Sequence, residues 1–112
     1  SVIVSQRSID EAVNYAKIAA EARPEEPKYA YTLAYYQMEN NQKSEAEKTL
    51  KKLIADHPLY LSAVSFLADI YMRDGRTKNA QALYEQTLKT EGISAQDRNA
   101  IQQALNALNS DS

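Results

Sequence analysis

Two stretches, Ala30-Tyr31-Thr32-Leu33-Ala34-Tyr35-Tyr36-Gln37-Met38 and Val64-Ser65-Phe66-Leu67-Ala68-Asp69-Ile70-Tyr71-Met72, decide how this chain folds. Laid one over the other at an offset of 34 residues, they match Leu33 with Leu67, Ala34 with Ala68 and Met38 with Met72. The register runs outward without a gap, placing Ala46 on Ala80 and Leu50 on Tyr84. Backward it places Ala12 on Ala46, Ala16 on Leu50 and Pro24 on Pro58. A fixed period of this size marks an array in which one supersecondary unit recurs.

Each unit reads as a pair of helices. Tyr29, Leu33 and Tyr36 recur at the i, i+4, i+7 spacing of one helical face, which predicts a buried stripe. Ala46, Leu50, Leu53 and Ile54 repeat that stripe in the following helix, with Glu47 and Lys51 spaced for an i, i+4 pair on the wet side. Turn chemistry falls between the helices at Glu39-Asn40-Asn41-Gln42 and again at Arg73-Asp74-Gly75-Arg76, where Asn and Gly tolerate the left-handed conformation that stops a helix. Ser8-x-x-Glu11 has the spacing of a capping box and predicts a helix start there, after a short first helix over about Val2 to Gln6.

These residues resemble tetratricopeptide repeats, whose unit reads W-x2-L-G-x2-Y, then A-x3-F, then P. One unit reads Ala30-x2-Leu33-Ala34-x2-Gln37, Ala46-x3-Leu50, Pro58, and the next reads Val64-x2-Leu67-Ala68-x2-Tyr71, Ala80-x3-Tyr84, Gly92. The leading unit keeps only Ala12-x3-Ala16 and Pro24. The chain departs from the pattern in lacking tryptophan, in placing Ala34 and Ala68 in the glycine slot, in Gln37 for the tyrosine and in Gly92 for the last proline. The resemblance covers roughly Val2 to Gly92. It implies an all-α fold of antiparallel helical hairpins stacked as a short right-handed superhelix.

After Gly92 the pattern changes. Ser94-x-x-Asp97 resembles a helix start, and Ala100, Ile101, Ala104, Leu105 and Leu108 make one apolar stripe opposite Gln, Asn and Arg. A stacked array needs its last open face covered, so 95–109 reads as a capping helix. The expected organisation is a single domain over 1–112, with a partial repeat at 1–26, repeats at 27–60 and 61–94, the cap at 95–109 and a disordered tail at 110–112. No cover of this kind precedes the truncated first hairpin, which leads to the expectation that the array continues upstream.

The totals agree with helices. Two glycines and three prolines against 44% apolar residues leave little material for β-hairpins. A net charge of -2 with the two signs interspersed offers no basic field for nucleic acid or anionic lipid. Zero cysteines remove disulfides, thiolate metal sites and cysteine nucleophiles, and fit either a reducing or an oxidising compartment. No apolar run approaches the ~20 residues of a membrane span, so no membrane insertion is expected.

Chemistry-bearing constellations are scarce. His57 is the only histidine and, before Pro58 at a helix end, suits a C-terminal charge or a solvated loop. Glu25-Glu26 and Glu45-Glu47 read as solvated faces rather than acid/base pairs. No phosphate-binding loop, zinc-peptidase or haem-attachment motif is present, so no cofactor and no enzymatic activity is expected.

What remains is surface. The resemblance implies a partner protein or peptide segment bound along the first helix of each hairpin. In this chain those positions are Tyr31, Tyr35, Met38 and Glu39, then Ser62, Ser65, Asp69, Met72 and Arg73. Tyr, Met and Arg are enriched at protein interfaces. The resemblance also excludes one partner: arrays that grip acidic chaperone tails use Lys, Asn and Arg on this face, and only Arg73 matches. Two other readings stand beside the groove. Similar repeat tails follow exported bacterial enzymes, including multihaem cytochromes, and that resemblance implies a C-terminal structural buttress of a larger multidomain protein with no separate ligand. The truncated first hairpin, around Ile9, Val13 and Ala16, also offers a face for self-association.

Overall fold

The computed structural model describes residues 2–110, with side chains from residue 6 onward. Among the described residues there are six helices and no strand: α1 (Val2–Ala22), α2 (Pro27–Glu39), α3 (Lys43–Asp56), α4 (Leu61–Arg73), α5 (Thr77–Leu88) and α6 (Ala95–Ser110). The chain falls into two compact units, Ser1–Ala55 and Asp56–Ser112.

The 34-residue register is written into the backbone. Helices α2 and α4 begin and end one period apart, and so do the starts of α3 and α5. Their turns repeat bond for bond. The Gln42 N–H donates to the Gln37 carbonyl at 2.8 Å, as the Arg76 N–H does to the Tyr71 carbonyl at 2.8 Å. The Asn41 N–H donates to Met38 at 3.1 Å, and the Gly75 N–H to Met72 at 3.1 Å. Asn41 (φ 59°) and Gly75 (φ 74°) hold the left-handed conformation that ends each first helix.

The leading unit departs from expectation. In place of a short helix, a turn and a capped second helix, α1 runs unbroken from Val2 to Ala22, so Ser8 and Glu11 lie inside it and form no cap. The register supplies the reason. Arg7 occupies the position of Asn41 and Gly75, and a bulky L-residue in left-handed conformation costs about 1–2 kcal/mol. Without a turn residue the helix propagates through.

In the first unit α1 packs on α2, and Ala16, Leu33, Ala34, Ala46, Leu50 and Leu53 are buried. Tyr29, Tyr36 and Ile54 are only half-buried. Gln37 is buried among them, where Thr49 Oγ1 donates to its Oε1 at 2.7 Å. Pro27 at the first position of α2 sets the helical φ where a backbone N–H would have no partner within the helix. Glu47 is half-buried rather than fully on the wet side, with Oε1 shielded from solvent, and Lys48 forms an exposed ion pair with Glu45 at 3.8 Å.

In the second unit α4 packs on α5 and α5 on α6, around Ala63, Val64, Leu67, Ala68, Ile70, Tyr71 and Ala80. Fully burying side chains such as Leu67 or Val64 stabilises by roughly 1.5–3 kcal/mol each. The small residues at matching positions, Ala34 and Ala68, Ala46 and Ala80, have no exposed surface in either unit, leaving no room for a larger side chain without displacement.

Helix α6 starts as its sequence indicates, with the Asp97 N–H donating to Ser94 Oγ at 3.0 Å. It buries Ile101, Leu105 and Leu108, with Ala104 half-buried. Ala100, expected in the stripe, is exposed. Ile93, just before the cap, is buried instead. Of the expected tail, Ser110 is the last residue of α6, and 111–112 lie outside the described residues.

Candidate functional site

The nine groove residues expected from sequence divide between the two units, four on α2 and five on α4. The register makes these faces equivalent: Tyr31 matches Ser65, Tyr35 matches Asp69, Met38 matches Met72 and Glu39 matches Arg73.

On α2 the largest exposed side chain is Tyr35, at 50%. Its ring meets that of Tyr36 edge to face, with centroids 5.6 Å apart and planes at 71°. Tyr31 and Met38, one turn to either side, are half-buried, and Glu39 is exposed. The α2 face thus presents one full aromatic ring and the edges of two further apolar side chains.

On α4 the same face is more polar. Ser62 and Ser65 are exposed, Met72 is exposed at 39%, and Asp69 Oδ2 pairs with Arg73 Nε at 3.1 Å along one helical turn. The Tyr84 phenol of α5 feels the same carboxylate. Burial first, and the negative charge of Asp69 second, push its pKa above the ordinary 10.0. Both act by disfavouring the phenolate.

Sequence reasoning missed two features of the first unit. One is apolar exposure on α1, at Tyr15 (72%) and Ile18 (55%). The face named for self-association is not where it lies: Ala16 is buried, and Ile9 and Val13 are half-buried on a helix packed against α2. The other is a polar network. Asp10 Oδ1 accepts from Gln6 Nε2 at 3.2 Å and from Asn40 Nδ2 at 3.0 Å, Asn40 Nδ2 also donates to Gln42 Oε1 at 3.0 Å, and Gln6 Nε2 donates to Asn40 Oδ1. It borders an open concavity of about 480 Å³ edged by Arg7, Asp10, Asn14 and Lys17 and by the Asn40–Gln42 turn. The spacing 7, 10, 14, 17 was the available signal, since it marks one face of a helix once α1 is continuous.

At the α1–α2 turn a backbone hydrogen bond at Glu25 itself is the largest cause that holds its carboxyl below the ordinary 4.5; burial opposes it, and Arg23 at 3.1 Å adds a lesser lowering. Among the described residues no group of three or more His, Cys, Asp or Glu is placed to hold a metal ion, and no helix is long and apolar enough to cross a membrane. No protein-family model, curated protein or solved structure matches the chain.

Proposed function

We propose that the chain is a helical-repeat segment of tetratricopeptide type that binds a partner protein through the exposed faces of α2 and α4, and that it works by binding rather than catalysis. The observation that carries this reading is the exposure of Tyr35 and Met72 on first helices that recur with one period. Large apolar side chains left in water on equivalent faces gain by being covered, and Tyr supplies contact area with a hydroxyl that stays paired to water or partner. The repetition itself is supported by the matching turn hydrogen bonds and by the Gln6–Asn40 contact between positions one period apart. Partners recognised in this way are protein segments, since these faces hold no concentration of positive charge for nucleic acid.

A photo-crosslinking residue placed at position 35, at position 72 and at the exposed control position Lys52 tests the reading in the cell of origin. Crosslinks to one protein from 35 and 72 and not from 52 are the expected result. The recovered partner should then bind the Tyr35→Ala chain more weakly while helicity is unchanged. Equal crosslinking from all three positions, or none from 35 and 72, would remove these faces from the function.

A further inference from the structure

We propose that the α2 face takes an uncharged peptide segment bearing aromatic or aliphatic side chains, with Tyr35 as the residue that reads it; this rests on the binding function proposed above. Tyr31, Tyr35 and Met38 follow the i, i+4, i+7 spacing and so form one stripe along α2. The Tyr36 ring, set edge-on at 5.6 Å, restrains the Tyr35 ring, so a docking side chain meets a surface already ordered and little further ordering entropy is lost on contact.

Charge decides the class of occupant. Helix α2 carries only Lys28 and Glu39, opposite in sign and at opposite ends. Lys28 Nζ lies 5.3 Å from the centroid of the Tyr29 ring. Between them no residue of α2 is charged. A charged group docked over Tyr35 would shed water and find no counter-charge on α2, whereas an apolar group loses only unfavourable hydration. The matching face of α4 is more polar, with the exposed Asp69–Arg73 pair at 3.1 Å beside Met72, so the uncharged class is assigned to α2 alone.

The test selects a random peptide library displayed on phage against the full chain, with the Tyr35→Ala chain as counter-selection and helicity checked for both. Uncharged peptides rich in Phe, Tyr, Leu or Met are the expected enrichment. Synthesised singly, they should lose about tenfold in affinity on Tyr35→Ala and keep it on Tyr35→Phe. Their Kd should change by less than about twofold between about 0.05 and about 0.5 M salt. Enrichment of charged peptides that depend on Tyr35 and weaken with salt would overturn the uncharged class while leaving binding at α2 in place. Enrichment that does not depend on Tyr35, or no enrichment, would overturn the inference together with the role of this face.

Discussion

Gln6 Nε2 donates a hydrogen bond to Asn40 Oδ1, joining two side chains one repeat period apart in the chain. The bond ties α1 to the turn that follows α2, within the first unit. Asn40 is the centre of this contact, because its amide nitrogen also serves Asp10 and Gln42, both at 3.0 Å. Asn40→Ala is expected to cost about 1 kcal/mol, near the low end of what several linked hydrogen bonds supply when the groups can reach water. Urea unfolding with an unchanged slope and a lowered midpoint is the readout, and an unchanged midpoint would make the network decorative.

The turn at Gly75 has a different sensitivity. Its φ of 74° lies in the left-handed region, and a Cβ there would meet nothing within 4 Å. A substitution is therefore opposed by backbone conformation alone. Gly75→Ala should destabilise by about 1–2 kcal/mol, and Gly75→Asn by less, since Asn already serves at φ 59° in the matching position 41. Thermal unfolding of the two variants side by side checks the order, and equal losses would contradict the conformational account.

The contrast between positions 7, 41 and 75 also shows where sequence reasoning holds. The ends of α2 and α4 were legible because Asn41 and Gly75 announce the turns, and Ala34, Leu50, Leu67 and Ala80 announce buried positions. The leading helix differs from the reading because the period extends over Arg7, for which the left-handed turn conformation is costly. That error hid the exposure of Tyr15 and Ile18 and the polar stripe of α1, both of which follow only from an unbroken helix. At the candidate site, Tyr35 and Met72 are exposed, while Tyr31 and Met38 are half-buried. A single helix face does not reveal how far a neighbour covers its edge. Glu47 illustrates the same limit, since its i, i+4 partner in sequence says nothing of the side chains that shield its oxygen.

Gln37 is the one amide buried in the first unit, at the position where the second unit has Tyr71. Its Oε1 accepts from Thr49 Oγ1 at 2.7 Å, and the same hydroxyl contacts the Glu45 carbonyl at 3.0 Å. Thr49→Val keeps the shape and removes the donor, leaving a buried carbonyl oxygen short of a partner. The expected loss is about 1–3 kcal/mol. The double variant Gln37→Leu with Thr49→Val should recover part of it, because an apolar pair of similar volume needs no hydrogen bond. Double-mutant-cycle unfolding measures the coupling, and strict additivity would show that the contact contributes nothing.

Tyr84 makes stability depend on alkaline pH. Burial and the Asp69 carboxylate raise its pKa in the folded chain above the unfolded value of 10.0, so above that value the unfolded state gives up its proton first and binds fewer protons than the folded state. Stability is therefore complete below pH 10.0 and declines as pH rises through the folded pKa. Tyr84→Phe removes the titrating group and should flatten the alkaline limb of midpoint against pH. Asp69→Asn keeps the phenol and removes its anionic neighbour, so the limb should shrink without vanishing, because burial is the larger cause. Urea midpoints taken from about pH 8 to about pH 11 decide the matter. A limb that survives Tyr84→Phe in full would assign it to other tyrosines or lysines of the chain.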